Sequence, residues 1–222
     1  MFSPPSDDIF SGGNNDNWEL LKAWAGSTLA FAIFQTGAGN LFTSAFVQNL
    51  LISALVCGLA FVLHELAHRI VARGYGAEAH FKAEDRWLLI SIAIALVGFF
   101  IAAPGAVWHR GYLTPRQSGL IALAGPVTNL VLSLIFLFGL VVLVVANMSF
   151  PGIGWLLSTC YIGFKFNAWI GLFNMIPAGP FDGAKVLAWD WRVFAVTVAV
   201  ALALTFVISD AMIINLANTL AP

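Results

Sequence analysis

The sequence of 222 residues is 60% hydrophobic and only 9% charged, and its mean hydropathy is +0.89. That composition leaves too little charge to cover a soluble domain and points to one compact polytopic membrane domain. A net charge of −1 argues against nucleic-acid partners.

The chain opens on MFSPPSDDIFSGGNNDNWE, acidic and polar and without the basic region of a signal peptide. Residues 1–17 are expected to be a disordered tail, and residues 18–222 a single transmembrane domain. Five apolar stretches, 18–34, 45–72, 118–146, 153–175 and 191–208, are each near the ~20 residues that a helix needs to cross a bilayer. Residues 209–222 could add a sixth span, an interfacial helix or a frayed end. The expected fold is therefore all-α, with about five to six transmembrane helices and a small membrane-embedded strand or re-entrant element. Cys57 and Cys160 both lie in apolar runs and are expected to be buried thiols.

The stretch 87–103 supplies the re-entrant element. Its middle alternates Ile90, Ile92, Ile94 and Leu96 with Ser91, Ala93, Ala95 and Val97, a period of two that predicts a strand over 90–97. Such a strand would offer an unpaired edge to an unwound substrate segment. Basic residues gather at Arg69, Arg73, Lys82 and Arg86, at Arg110 and Arg116, and at Lys185 and Arg192. The excess of basic residues in cytoplasmic loops puts all three groups inside the cell, so 87–103 should enter and return rather than cross.

The run His64-Glu65-Leu66-Ala67-His68 lies inside an apolar helix. Two histidines four apart sit about 40° apart around a helix axis, so both imidazoles reach one tetrahedral Zn²⁺, with Glu65 beside them as general base. Ionisable groups at that depth are costly, and a passive lipid-facing helix does not carry three of them in five positions. A third ligand is needed. His80 and His109 lie in expected loops. Asp182 ends a segment, Asn174-Met175-Ile176-Pro177-Ala178-Gly179-Pro180-Phe181-Asp182-Gly183, whose prolines and glycines preclude regular helix. It is the better candidate, against the alternative that Asp182-Gly183 is only a turn. Two crossings between His68 and Asp182 would return the chain to the same side.

These residues, together with Gly125-Pro126-Val127-Thr128-Asn129 and Phe173-Asn174-Met175-Ile176-Pro177, resemble the site-2 protease family of intramembrane metalloproteases, over roughly residues 56–185. The resemblance implies zinc held by His64, His68 and Asp182, a catalytic Glu65, and hydrolysis of a peptide bond in a transmembrane segment of a substrate protein. The resemblance is to a minimal form, without a PDZ-like or CBS-like domain. The expected location is the plasma membrane of a prokaryote, with the active site towards the cytoplasm and lipid and a transmembrane substrate as partners. Asn129, Asn167 and Asn174 are candidate supports: Asn129 towards a ligand or substrate backbone, Asn167 behind the site, Asn174 at the oxyanion. Lys165 in mid-helix calls for a carboxylate or a wet cavity. The alternative reading is a membrane metal-binding or metal-transport protein with the same ligands, which would not need Glu65 as a base.

Overall fold

The computed structural model describes residues 9–10, 15–101, 104–146 and 149–220. It is mostly helical. The helices are α1 (Asp16–Thr36), α2 (Ser44–Ser53), α3 (Leu59–Gly74), α4 (Asp85–Leu96), α5 (Pro115–Val145), α6 (Ile153–Asn174), α7 (Asp182–Trp189), α8 (Trp191–Leu202) and α9 (Asp210–Leu220). Two strands, β1 (Glu78–Ala83) and β2 (Gly105–Arg110), pair antiparallel. A π-helical turn, Ala54–Gly58, joins α2 to α3. The resulting helix Ser44–Gly74 and the helix α5 are each long and apolar enough to cross a bilayer.

Local chemistry sets the ends. Asn15 caps α1 by accepting from the Trp18 amide. Thr114 and Gln117 form a capping box at the start of α5, with Pro115 at the first helical position. Of the expected tail, positions 1–8 and 11–14 lie outside the described residues. Ile9 is buried, and the Arg110 guanidinium lies over the Phe10 ring.

The helix α5 is the hub: it packs on α3, α6 and α7. Small residues allow close approach, as in other membrane-type helix packings. A Cβ at Gly58 would overlap Trp24 and Thr28 of α1, and the Trp24 indole donates to the Ala54 carbonyl within the π turn.

The segment 90–97 is not a strand: residues 90–96 belong to α4, and Val97 caps its end. The buried residues of α4, Leu88, Ser91 and Ala95, recur at spacings of three and four, the helical period, and the helix packs against α1. The period-two pattern belongs to β1, where Ala79, Phe81 and Ala83 are buried between Glu78, His80 and Lys82. The β element therefore flanks the 85–96 helix instead of lying within it, and no strand edge exists at 90–97.

The helix α6 ends at Asn174, and the proline- and glycine-containing link 175–181 leads into α7 at Asp182. A Cβ on Gly183 would overlap the Met175 backbone, so glycine lets α7 fold back on the end of α6. Lys165 donates to the Ile208 carbonyl at 2.8 Å and lies 3.8 Å from Asp210, pinning the break between the π-helical turn Ala203–Val207 and α9 to the middle of α6. Cys57 and Cys160 are buried free thiols.

Candidate metal centre

Two elements converge on one point. From α3 come His64 and His68, and from the first turn of α7 comes Asp182; all three are buried. The Asp182 Oδ2 lies 3.2 Å from His64 Nε2 and 3.1 Å from His68 Nε2, and the two Nε2 atoms are 2.9 Å apart. These separations are close to the ~3.3 Å edge of a tetrahedron with metal–ligand bonds of ~2.0 Å.

The far side of each imidazole decides what its Nε2 can do. His64 Nδ1 donates to Asn129 Oδ1 at 2.6 Å, and His68 Nδ1 donates to the Ile121 carbonyl at 2.7 Å. With Nδ1 carrying the proton, a neutral ring offers Nε2 as a lone pair. Two lone pairs and a carboxylate oxygen then face one another at hydrogen-bonding distance, with no proton to share among them. Such a set repels itself unless a cation lies between its members. The donor chemistry, two imidazoles and one carboxylate, suits zinc and leaves a fourth position for water.

Asn129 is itself held. Its Nδ2 donates to Asn167 Oδ1 at 3.1 Å and to the Ala60 carbonyl at 3.3 Å, and Asn167 donates to the Gly163 carbonyl at 2.9 Å. Both asparagines are fully buried. The chain His64–Asn129–Asn167 thus ties α3, α5 and α6 into one frame. Asn174 does not join it, since its amide donates to Ile170 on its own helix.

Glu65 projects beside the ligands, where its Oε2 accepts the Val107 amide of β2 at 3.1 Å. That single backbone bond fixes the carboxylate's direction. Gly125 completes the wall: a Cβ there would overlap Nε2 of both histidines. The roles of Val107, Ile121 and Gly125 carry no sequence signal beyond the Gly125-Pro126 pair, because two of them act through backbone and one through a missing side chain.

His80 turns away from the centre and pairs with Asp16, which also binds Arg69 and Arg73. His109 lies on β2, half-buried. Burial, and then the positive charge of Lys185, push its imidazole below the ordinary histidine range. An apolar recess of about 350 Å³ lies beside the α6–α7 link, lined by Trp169, Phe173, Met175, Ile176, Pro177 and Phe194 among others.

Comparison with known proteins gives a consistent picture. Over 148 residues the chain is 39% identical to a proposed zinc metalloprotease of Methanocaldococcus jannaschii, covering 66% of this chain and 74% of that one. A proposed zinc metalloprotease of Bacillus subtilis is 33% identical over 144 residues, 58% of this chain and 64% of the relative. Another, from Mycobacterium tuberculosis, is 34% identical over 134 residues, of which the chain spans 28% of the relative's length. No protein-family model matches the chain, and no solved structure matches it.

Proposed function

This chain belongs to the site-2 protease family of zinc metalloproteases, and from that premise we propose that it hydrolyses a peptide bond within or near a transmembrane segment of a membrane-protein substrate. The carrying observation is the joining of His64, His68 and Asp182 across 118 residues of sequence, on helices apolar enough to lie in a bilayer. The apolar recess beside the Asp182 link suits an apolar substrate segment.

In this reading His64, His68 and Asp182 hold the zinc. Zinc, when bound, polarises the scissile carbonyl and acidifies a water. Glu65 removes a proton from that water and passes it to the leaving amine. Val107 keeps Glu65 aimed, and Asn129 with Ile121 keep the ligand nitrogens aimed. The helices α1, α6 and α8 with α9 supply further spans beside the two long ones, for about five to six in all. The basic groups at Arg69–Arg86, Arg110–Arg116 and Lys185–Arg192 support a site towards the cytoplasmic face of a prokaryotic plasma membrane. Release of a regulator from the membrane is the biological outcome this reading anticipates.

The test is cleavage of a transmembrane peptide by the purified chain, with zinc measured in parallel. Glu65→Gln should keep about one zinc per chain and lose cleavage by roughly 10²–10⁴-fold. Equal cleavage by wild type and Glu65→Gln would overturn the reading and favour a metal-binding or metal-transport role.

A further inference from the structure

Glu65 takes its direction from a strand amide, so whatever holds the strand also aims the base. Its Oε2 accepts the Val107 amide of β2 at 3.1 Å. Val107 opposes Phe81 in the hairpin register, as Ala83 opposes Gly105 and Ala79 opposes His109. In an antiparallel pair alternate residues turn their N–H and C=O groups outwards, away from the partner strand. Ala79, Ala83 and Val107 belong to that outward set, and each is bonded to a helix side chain.

These bonds hold different corners of the hairpin. At one, the Arg73 guanidinium of α3 donates to the Ala79 carbonyl, from Nε at 3.0 Å and from Nη2 at 2.6 Å. The neighbouring His80 ring pairs with Asp16 at 3.0 Å and reinforces the same corner. At another, on the opposite edge, Val107 meets Glu65. Arg73 and Glu65 both belong to α3, so a plate held at those two points could still pivot about the line between them. The Ala83 end of β1 lies four residues from Ala79, about 13 Å along the strand and off that line. There Glu19 of α1 accepts the Ala83 amide through Oε2 at 2.9 Å.

Glu19 is placed for that bond. It is 6% exposed, and a buried carboxylate is costly unless it is paired and hydrogen-bonded. Its Oε1 meets Lys22 at 3.1 Å and Lys82 at 3.5 Å, which leaves Oε2 for the amide. The strands are pressed together at this end, since a Cβ on Gly105 would overlap the Lys82 carbonyl and the Ala83 backbone. A shift of Ala83 is therefore passed to Gly105, and along two residues of the same strand to Val107.

We propose that Glu19 is a positioning residue for Glu65: by binding the Ala83 amide it fixes the tilt of the hairpin, and with it the direction in which Val107 presents its N–H to the general base. The inference rests on the protease reading above and deepens it. Glu19 touches neither substrate nor metal, so it acts on the chemical step and leaves binding unchanged.

The test measures cleavage of a transmembrane peptide by the full chain, zinc-loaded in neutral lipid vesicles, with zinc content and circular dichroism followed in parallel. In Glu19→Ala, kcat should fall by roughly tenfold or more, with KM and zinc content equal to wild type. Glu19→Gln keeps an oxygen that can accept the Ala83 amide and should restore most of the kcat. Ala83→Pro removes the same bond from its donor side, at a position whose N–H faces away from β2, and should reproduce the Glu19→Ala loss. Adding Glu19→Ala to Val107→Pro should cost no more than Val107→Pro alone, because one amide carries both effects. If Glu19→Ala loses its helical dichroism, Glu19→Gln and Ala83→Pro decide. Wild-type kcat in Ala83→Pro, a Glu19→Gln as impaired as Glu19→Ala, or losses that multiply in the double variant would each overturn the positioning role and leave the protease reading standing. Zinc-loaded wild type that cleaves no peptide would overturn both.

Discussion

His64 Nδ1 lies 2.6 Å from Asn129 Oδ1, so an imidazole on α3 is oriented by an amide on α5, whose other end is held by Asn167 on α6. The metal centre therefore depends on the relative placement of three helices, and its ligand geometry reports on their packing.

Asn129→Leu removes the acceptor that selects the His64 tautomer and takes from Asn167 Oδ1 its donor. Groups of this kind typically tune metal affinity by about 10–100-fold. Zinc competition with a chromophoric chelator should show a weakening in that range for Asn129→Leu, and a smaller one for Asn167→Ala. Unaltered affinity in both would show that the amide chain is packing alone.

Gly125→Ala should be more damaging than its size suggests. The added methyl would overlap Nε2 of both histidines, and it sits on the rigid hub helix, where no flexible side chain can yield. Overpacking of a close-packed interior costs about 1–3 kcal/mol. The expected outcome is zinc below one tenth of wild-type content with far-ultraviolet circular dichroism retained. Full zinc occupancy in Gly125→Ala would count against the geometry.

Val107→Pro deletes the one amide that Glu65 accepts. A hydrogen bond to a charged group contributes about 1.5–3 kcal/mol, so kcat should fall by roughly 10–100-fold while zinc content stays at wild-type level. Val107→Ala, which keeps the amide, serves as the control and should retain most activity. Equal kcat in both variants would show that Glu65 is oriented by something else.

Asp16 provides a pH prediction outside the expected spans. Burial raises its pKa, but hydrogen bonds from His80 and Arg69 outweigh that, and the carboxyl is held below its ordinary value of 3.8. A group depressed in the folded state stabilises above its unfolded pKa and loses that contribution as pH falls through the folded one. Wild type should therefore lose thermal stability below about pH 4, more steeply than Asp16→Asn. Parallel curves for the two proteins would remove Asp16 from the account.

Lys165→Met should loosen the end of the chain rather than the metal site. It deprives the Ile208 carbonyl of its donor and Asp210 of its cation. A loss of about 1–2 kcal/mol should appear as earlier proteolysis in α9, with zinc content unchanged.

Much of the site was legible because its first half is local. His64, Glu65 and His68 fall within five positions, and a helix alone places both imidazoles together. The prolines and glycines before Asp182 likewise announce a break where a carboxylate can turn inwards. Asn129 and Asn167 were visible as candidates. Only packing showed that they form one chain to His64, while Asn174 turns back to Ile170. The strand expected at 90–97 failed because an Ile/Ala alternation satisfies a two-residue period and a helical face at once. Contact with α1 chose the helix, through Leu88, Ser91 and Ala95.

By itself, then, the order of residues determined the helical apolar character of this protein and the paired imidazoles with their neighbouring carboxylate, because those follow from periodicity over one or two turns. Only the tertiary structure decided that Asp182 closes the site and that Val107 and Ile121 aim its groups through backbone atoms. Those relations join positions tens to more than a hundred residues apart, and helix packing alone sets such distances.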